Sequence, residues 1–284
     1  MTIFEAIILG IVEGLTEYLP VSSTGHLIIT RYLLQLGESD ALKAFEICIQ
    51  GGAILAVLGI YFSRVKGMVT DTLSWLKNRK NHPQLPAGMR LMLNMVIGFL
   101  PAAVIGLIFS KYIKEYLFNA TVVTTTWALG GVVILLYVRA RKKRGQGFAG
   151  KNLEELSYFG ALKVGFMQCI AMCPGVSRSL MTMLGGLFAG LSVAAAVEFS
   201  FLLGLITLGA ATVHDAYEHG HAMITEIGWG PIIVGTITAW ISAVVAVKWM
   251  VGYLNRHSLN IFGWYRIGAA LVMLALILFA GLSV

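Results

Sequence analysis

The stretch EGLTEYLPVSSTGHL, residues 13–27, decides how this chain is read. Glu13, Glu17, a Ser-Ser-Thr run and His26 crowd a segment whose surroundings are otherwise fit for lipid. Pro20 removes a backbone donor, and serines favour caps and turns over helix interiors. The flanking apolar stretches, 3–17 and 22–36, are each short of the roughly 20 residues needed to cross a hydrocarbon core. The same design recurs at CPGVSRS, residues 173–179, between apolar stretches 158–172 and 178–192. Irregular backbone survives at membrane depth only where protein or a watery cavity satisfies it. Each pair therefore predicts a re-entrant helical hairpin, over 3–36 and 158–192.

Working outward, the remaining sequence is 57% hydrophobic and only 12% charged. Soluble domains carry about twice that charged fraction, so lipid is the expected solvent. Six stretches are long enough to span: 45–62, 89–109, 120–138, 194–213, 228–250 and 261–282. The expectation is an all-α polytopic membrane protein, with six transmembrane helices and two re-entrant hairpins in one domain, 1–284. Glu5 and Glu13 near the start, with no basic region before them, argue against a cleavable signal peptide. Cys48, Cys169 and Cys173 lie in apolar stretches and read as small buried hydrophobes.

If each hairpin returns to its starting side, loops 63–88, 139–157 and 251–260 share one face with the second hairpin. Fifteen of the 21 Lys and Arg fall on that face and four on the other, a positive-inside bias. Both termini and the first hairpin then face outward, as does loop 214–227 with His214, His219 and His221. The net charge of +7 is accounted for by these loops, and no nucleic-acid partner is expected. The halves also repeat. GIVEGLTEYLPVSST (10–24) aligns with GFMQCIAMCPGVSRS (165–179), with Gly10 on Gly165, Glu13 on Gln168 and Ser22 on Ser177. A hairpin plus three spans is an odd number of crossings, so residues 1–138 and 158–284 form an inverted-topology repeat. Such folds hold their sites near the midplane, where broken helices meet.

Several polar residues are candidates for chemistry. Glu13 and Glu17 are four apart and share a helix face; a carboxylate pair in lipid is functional by default. With nearby hydroxyls they suit a hard divalent cation, Mg²⁺ or Ca²⁺. Ser22, Ser23 and Thr24 would cap the second half-helix, whose free N–H groups and dipole favour anions. Ser177 and Ser179 flank Arg178 in the same geometry, and its planar fork suits phosphate oxygens. His26, three after Ser23, is available as base, acid or nucleophile. Glu46 and Glu198 near span starts are explained by helix-dipole compensation. Arg266 in the last span reads as paired with a buried carboxylate or snorkelling.

GIVEGLTEYLPVSSTGHLII, FEICIQGGAILAV, PGVSRS and EFSFLL closely resemble the undecaprenyl pyrophosphate phosphatase family, the bacitracin-resistance proteins. The resemblance runs from about residue 7 to residue 266. It implies a bacterial inner-membrane enzyme with an interlocked inverted-repeat fold. Such an enzyme dephosphorylates a C55 isoprenoid pyrophosphate at the outer face, with membrane lipids around it and room for a homodimer. It also implies that Glu13 and Glu17 are the essential acidic pair. Ser23 is then the motif serine and proposed nucleophile, His26 the motif histidine, and Ser177, Arg178 and Thr182 the phosphate-contacting set. The nucleophile stays open between Ser23, with His26 as base, and His26 itself. One departure stands out: the family commonly reads Ser-Arg-Ser-Gly-Ala-Thr where this chain has SRSLMT, 177–182. Leu180 and Met181 either narrow the phosphate pocket or pack against a partner helix. The rival from another class is a polyprenyl-phosphate flippase or secondary transporter, which needs no serine–histidine pair beside two carboxylates.

Overall fold

The computed structural model describes residues 1–78, 84–145, 147 and 149–282. Residues 79–83, 146, 148 and 283–284 lie outside the described residues. They belong to the loops expected at 63–88 and 139–157 and to the end of the second repeat.

Two short helices come first, α1 (Ile3–Thr16) and α2 (Ser23–Leu33). The first is started by a reciprocal cap in which the Glu5 amide donates to Thr2 Oγ1 at 3.2 Å and the Thr2 amide to Glu5 Oε2 at 2.7 Å. Long helices follow: α3 (Asp40–Ile60), α4 (Phe62–Asn78), α5 (Ala87–Leu117) and α6 (Ala120–Lys143). The pattern then restarts with short α7 (Tyr158–Ile170) and α8 (Arg178–Phe188), followed by α9 (Val193–Glu226), α10 (Trp229–Leu254) and α11 (Asn260–Ala280). Ser39, Asn119, Ser157 and Ser192 cap α3, α6, α7 and α9, each accepting a backbone N–H of the first turn.

Among the described residues, six helices, α3, α5, α6, α9, α10 and α11, are long and apolar enough to cross a membrane, one on each expected span. Large side chains such as Leu107, Leu271 and Leu278 remain well exposed on their flanks, an apolar surface that lipid covers and water would not tolerate. Two expected loops are helical instead. Residues 62–78 form α4, and 214–226 continue α9 without a break. Their polar residues do not interrupt hydrogen bonding. In the extension of α9, His214 pairs with Glu218 at 3.7 Å and His219 with Asp215 at 3.9 Å, one turn apart.

The halves are interlocked rather than side by side. Helix α1 packs on α10 and α7 on α5; α3 meets α10 as α9 meets α5; α3 pairs with α9 and α6 with α11. Exchanging the two halves maps each of these pairings onto another or onto itself. Small residues make the close crossings. A Cβ at Gly14 of α1 would sit 2.8 Å from the Ala243 amide nitrogen and run into the Ala239 carbonyl and Ser242 hydroxyl of α10. Overpacking of this kind costs about 1–3 kcal/mol or more. Gly14→Val is therefore expected to lower the thermal unfolding midpoint in detergent by several degrees. An unchanged midpoint would show that the α1–α10 crossing is not this close.

Candidate active site

Both short-helix pairs are broken by a turn that ends on a serine in an unfavourable backbone region. Ser22 has φ 71° and ψ 106°, and Ser177 has φ 77° and ψ 114°. Such a conformation costs a non-glycine residue about 1–3 kcal/mol and persists only where its surroundings over-determine it. The two serines occupy positions matched in the expected alignment of 10–24 with 165–179, and each is followed by the first residue of a helix, Ser23 of α2 and Arg178 of α8.

Glu17, just past α1, joins these two helix starts. Ser23 Oγ donates to Glu17 Oε2 at 2.6 Å, and Arg178 Nη2 donates to Glu17 Oε1 at 3.1 Å. Arg178 Nη1 donates to the Ser200 carbonyl at 3.1 Å, and the guanidinium carbon lies 5.2 Å from the centre of the Tyr18 ring. The carboxylate and guanidinium are almost wholly buried, 6% and 11% exposed. Arg178 Nε and Glu13 Oε1 are buried with no hydrogen-bond partner. A spare donor and a spare acceptor therefore stand in the site, where leaving either unmet costs about 1–3 kcal/mol.

Two cavities flank this line. The larger, about 400 Å³, is lined by Glu13, Ser23, Thr24, Arg31, Glu46 and Gln50, among others. The smaller, about 160 Å³, is lined by Glu17, Ser22, Ser23, Thr24, Ser177 and Arg178, among others. Ser23, Thr24, Gln50 and Phe118 border both. Of the ten candidate catalytic and phosphate-binding residues, Glu13, Glu17, Ser22, Ser23, Thr24, Ser177 and Arg178 thus face one or both cavities.

Three do not. Ser179 is fully buried and donates to the Leu19 carbonyl at 2.8 Å. Thr182 is fully buried and shares a 2.6 Å hydrogen bond with Ser200 Oγ. Both tie α8 to its neighbours and border neither cavity. His26 makes its described hydrogen bonds with partners other than Ser23 Oγ. Its Nδ1 donates to the Ser22 carbonyl at 2.7 Å, and its Nε2 meets Tyr265 Oη at 2.7 Å. The ring packs 4.8 Å from Trp127 and stacks 5.6 Å from Tyr265. Leu180 and Met181 are buried in the apolar core and border neither cavity, so their bulk serves packing.

Other charges find partners that sequence did not reveal. Glu46 pairs with Arg31 at 3.2 Å, and Glu198 with Arg64 at 2.9 Å, so both carboxylates balance arginines rather than a helix dipole. Arg64 also bonds Glu154, and that contact holds the Glu154 carboxyl below its ordinary range. Among the described residues Arg266 meets no carboxylate, and it does not snorkel. It is fully buried, and its described hydrogen bonds go to the backbone carbonyls of Pro20, Thr126, Trp127 and Gly175. Gln50 and Phe118 belong to none of the polar clusters that stood out in the sequence, and only the fold brings them to the cavities.

Fold and site together define a polytopic helical membrane protein with a part-buried serine–carboxylate–arginine line where two interrupted helix pairs meet. Residues 6–272 match the family described as bacitracin resistance protein BacA, and the chain belongs to it. Among its relatives, Undecaprenyl-diphosphatase 2 of Rhodospirillum rubrum is 42% identical over 96% of this chain and 94% of that protein. Undecaprenyl-diphosphatase 1 of Chromobacterium violaceum is 42% identical over 96% of this chain and 95% of its own length. Undecaprenyl-diphosphatase of Nitrosomonas eutropha is 40% identical over 96% and 94%.

Proposed function

We propose that this protein hydrolyses undecaprenyl diphosphate to undecaprenyl phosphate and inorganic phosphate. The reaction occurs at the outer face of the bacterial inner membrane, returns the carrier lipid to wall synthesis and confers bacitracin resistance. The names of its relatives support the substrate. The observation that carries the chemistry is the hydrogen-bonded line from Ser23 through Glu17 to Arg178.

The diphosphate enters between the starts of α2 and α8 while its isoprenoid tail stays in lipid. Arg178 and the free N–H groups of the two helix starts hold phosphate oxygens and offset the charge that grows on them. Ser23 Oγ bonds to the terminal phosphorus, the bond from that phosphorus to the bridging oxygen breaks, and the lipid phosphate leaves. The serine proton passes to Glu17 Oε2, its partner at 2.6 Å. Water then displaces Ser23 from phosphorus, and Glu17 returns the proton. With both ring nitrogens engaged, His26 acts by holding the Ser22 carbonyl rather than by taking the Ser23 proton.

The buried, unpartnered Glu13 Oε1 beside Ser23, Thr24, Glu46 and Gln50 is an oxygen-rich donor set suited to a hard cation. Glu13 and Glu17 would hold Mg²⁺ or Ca²⁺, which supplies positive charge to the phosphate oxygens when bound. Phosphate release from C15 or C55 isoprenyl diphosphate by purified protein, with and without EDTA, tests the reading. Release that EDTA stops supports it; no release from either lipid overturns it.

The two halves are best read as an inverted repeat with re-entrant hairpins 3–36 and 158–192. The matched positive φ at Ser22 and Ser177 and the exchangeable helix pairings support this. The charge bias puts the termini and the site outside. Single cysteines at residues 145 and 217, in a background freed of native cysteines, are expected to label from opposite sides of the membrane. Labelling of both by an impermeant outside reagent would refute this arrangement.

A further inference from the structure

We propose that Arg266 is a positioning residue for hydrolysis, one guanidinium that ties both interrupted turns together and so fixes Ser23 relative to Arg178. The inference rests on the phosphatase reading of the same site. Arg266 Nη1 donates to the Pro20 carbonyl of the first turn at 3.3 Å. Its Nη2 donates to the Gly175 carbonyl of the second turn at 2.8 Å. The same nitrogen also meets the Thr126 carbonyl at 2.9 Å, and Nε reaches the Trp127 carbonyl at 3.4 Å. Helix α6 adds a second tie, since Thr126 Oγ1 donates to the Pro174 carbonyl at 2.7 Å.

The bonded carbonyls lie close to the two strained serines, two residues before each. Residue 265 completes the arrangement, because Tyr265 Oη meets His26, which in turn holds the Ser22 carbonyl. Adjacent residues of α11 therefore reach both sides of the nucleophile turn. Space for the guanidinium is built in: a Cβ at Gly130 would lie 2.7 Å from Arg266 Cζ and Nε. A fully buried cation carries a desolvation cost of several kcal/mol, and an apolar side chain would fill the same space without it. What an apolar residue cannot do is bond one carbonyl in each turn. The planar fork can, and a point ammonium cannot span them.

Displacement of a reacting group by about 1 Å costs on the order of 100-fold in turnover, whereas charge-based binding tolerates it. Arg266→Lys, purified in detergent, is therefore expected to lose about 100-fold in kcat on C15 isoprenyl diphosphate, with KM within about threefold of the parent. Thr126→Val, nearly isosteric, removes the Pro174 tie along with the Oγ1 bond to the Val123 carbonyl of its own helix, and is expected to lose about tenfold in kcat with KM again held. It provides the measurement if Arg266→Lys does not fold. Variants with kcat within twofold of the parent, or with raised KM and unchanged kcat, overturn the role of Arg266. An inactive parent overturns the phosphatase reading instead, and with it the basis of this one.

Discussion

Arg178→Lys is expected to lower phosphate release about 100- to 1000-fold although the charge is kept, a loss of about 3–4 kcal/mol of transition-state stabilisation. The guanidinium already spends Nη2 on Glu17 and Nη1 on the Ser200 carbonyl, leaving Nε buried and unmet. Its plane lies over Tyr18 and fits because Gly204 has no Cβ to meet it. An ammonium presents its donors from one point, so it cannot hold Glu17, the Ser200 carbonyl and a phosphate oxygen together. Steady-state kinetics on C15 isoprenyl diphosphate, with a melting curve to confirm folding, measure the effect. Near-parental turnover in a folded Arg178→Lys protein would remove Arg178 from the site.

Glu17→Gln is expected to cost at least about 1000-fold, within the range for losing a positioned base. The amide keeps the shape of the side chain but loses the charge that accepts the Ser23 proton at 2.6 Å and faces Arg178 at 3.1 Å. Substrate should still bind, because Arg178 and the two helix starts remain. Added Mg²⁺ or Ca²⁺ should rescue poorly, since an uncharged amide oxygen is a weaker ligand for a hard cation. Binding with no turnover is the expected outcome, measured by phosphate release beside lipid binding in detergent. Full turnover would defeat the catalytic assignment and favour a transporter.

The parts of this fold that sequence conveys are those where local chemistry is unambiguous. Six long apolar runs had to be helices, and a proline followed by serines had to break α1 from α2 and α7 from α8. Helices α4 and the end of α9 were hidden because residues 62–78 and 214–226 mix polar with apolar side chains. Hydrogen bonding along a helix does not depend on hydropathy. The Glu17–Ser23–Arg178 line was half visible: the residue types stood out, but the spacing of His26 from Ser23 suggested a pair that does not form. Ser22 turns the chain through positive φ, so Ser23 opens α2 facing Glu17 while His26 folds back on the Ser22 carbonyl. Arg266 was legible only as a buried charge. Its partners are carbonyls of the turns, and carbonyls leave no mark in a sequence.

The interlocking of the halves also shapes how the chain must be made. Helix α1 is too short to cross the membrane, and its principal neighbour, α10, begins at Trp229. At ribosomal rates of about 5–20 residues per second, α10 follows α1 by about 10–40 s. For that interval Glu13 has been synthesised but not enclosed, and Gly10 and Gly14 have no surface to seat on. Helix α1 must wait in the insertion machinery or at the membrane surface until α10 arrives. The crossing that seats Gly10 and Gly14 on α10 therefore forms late, after both halves have been made.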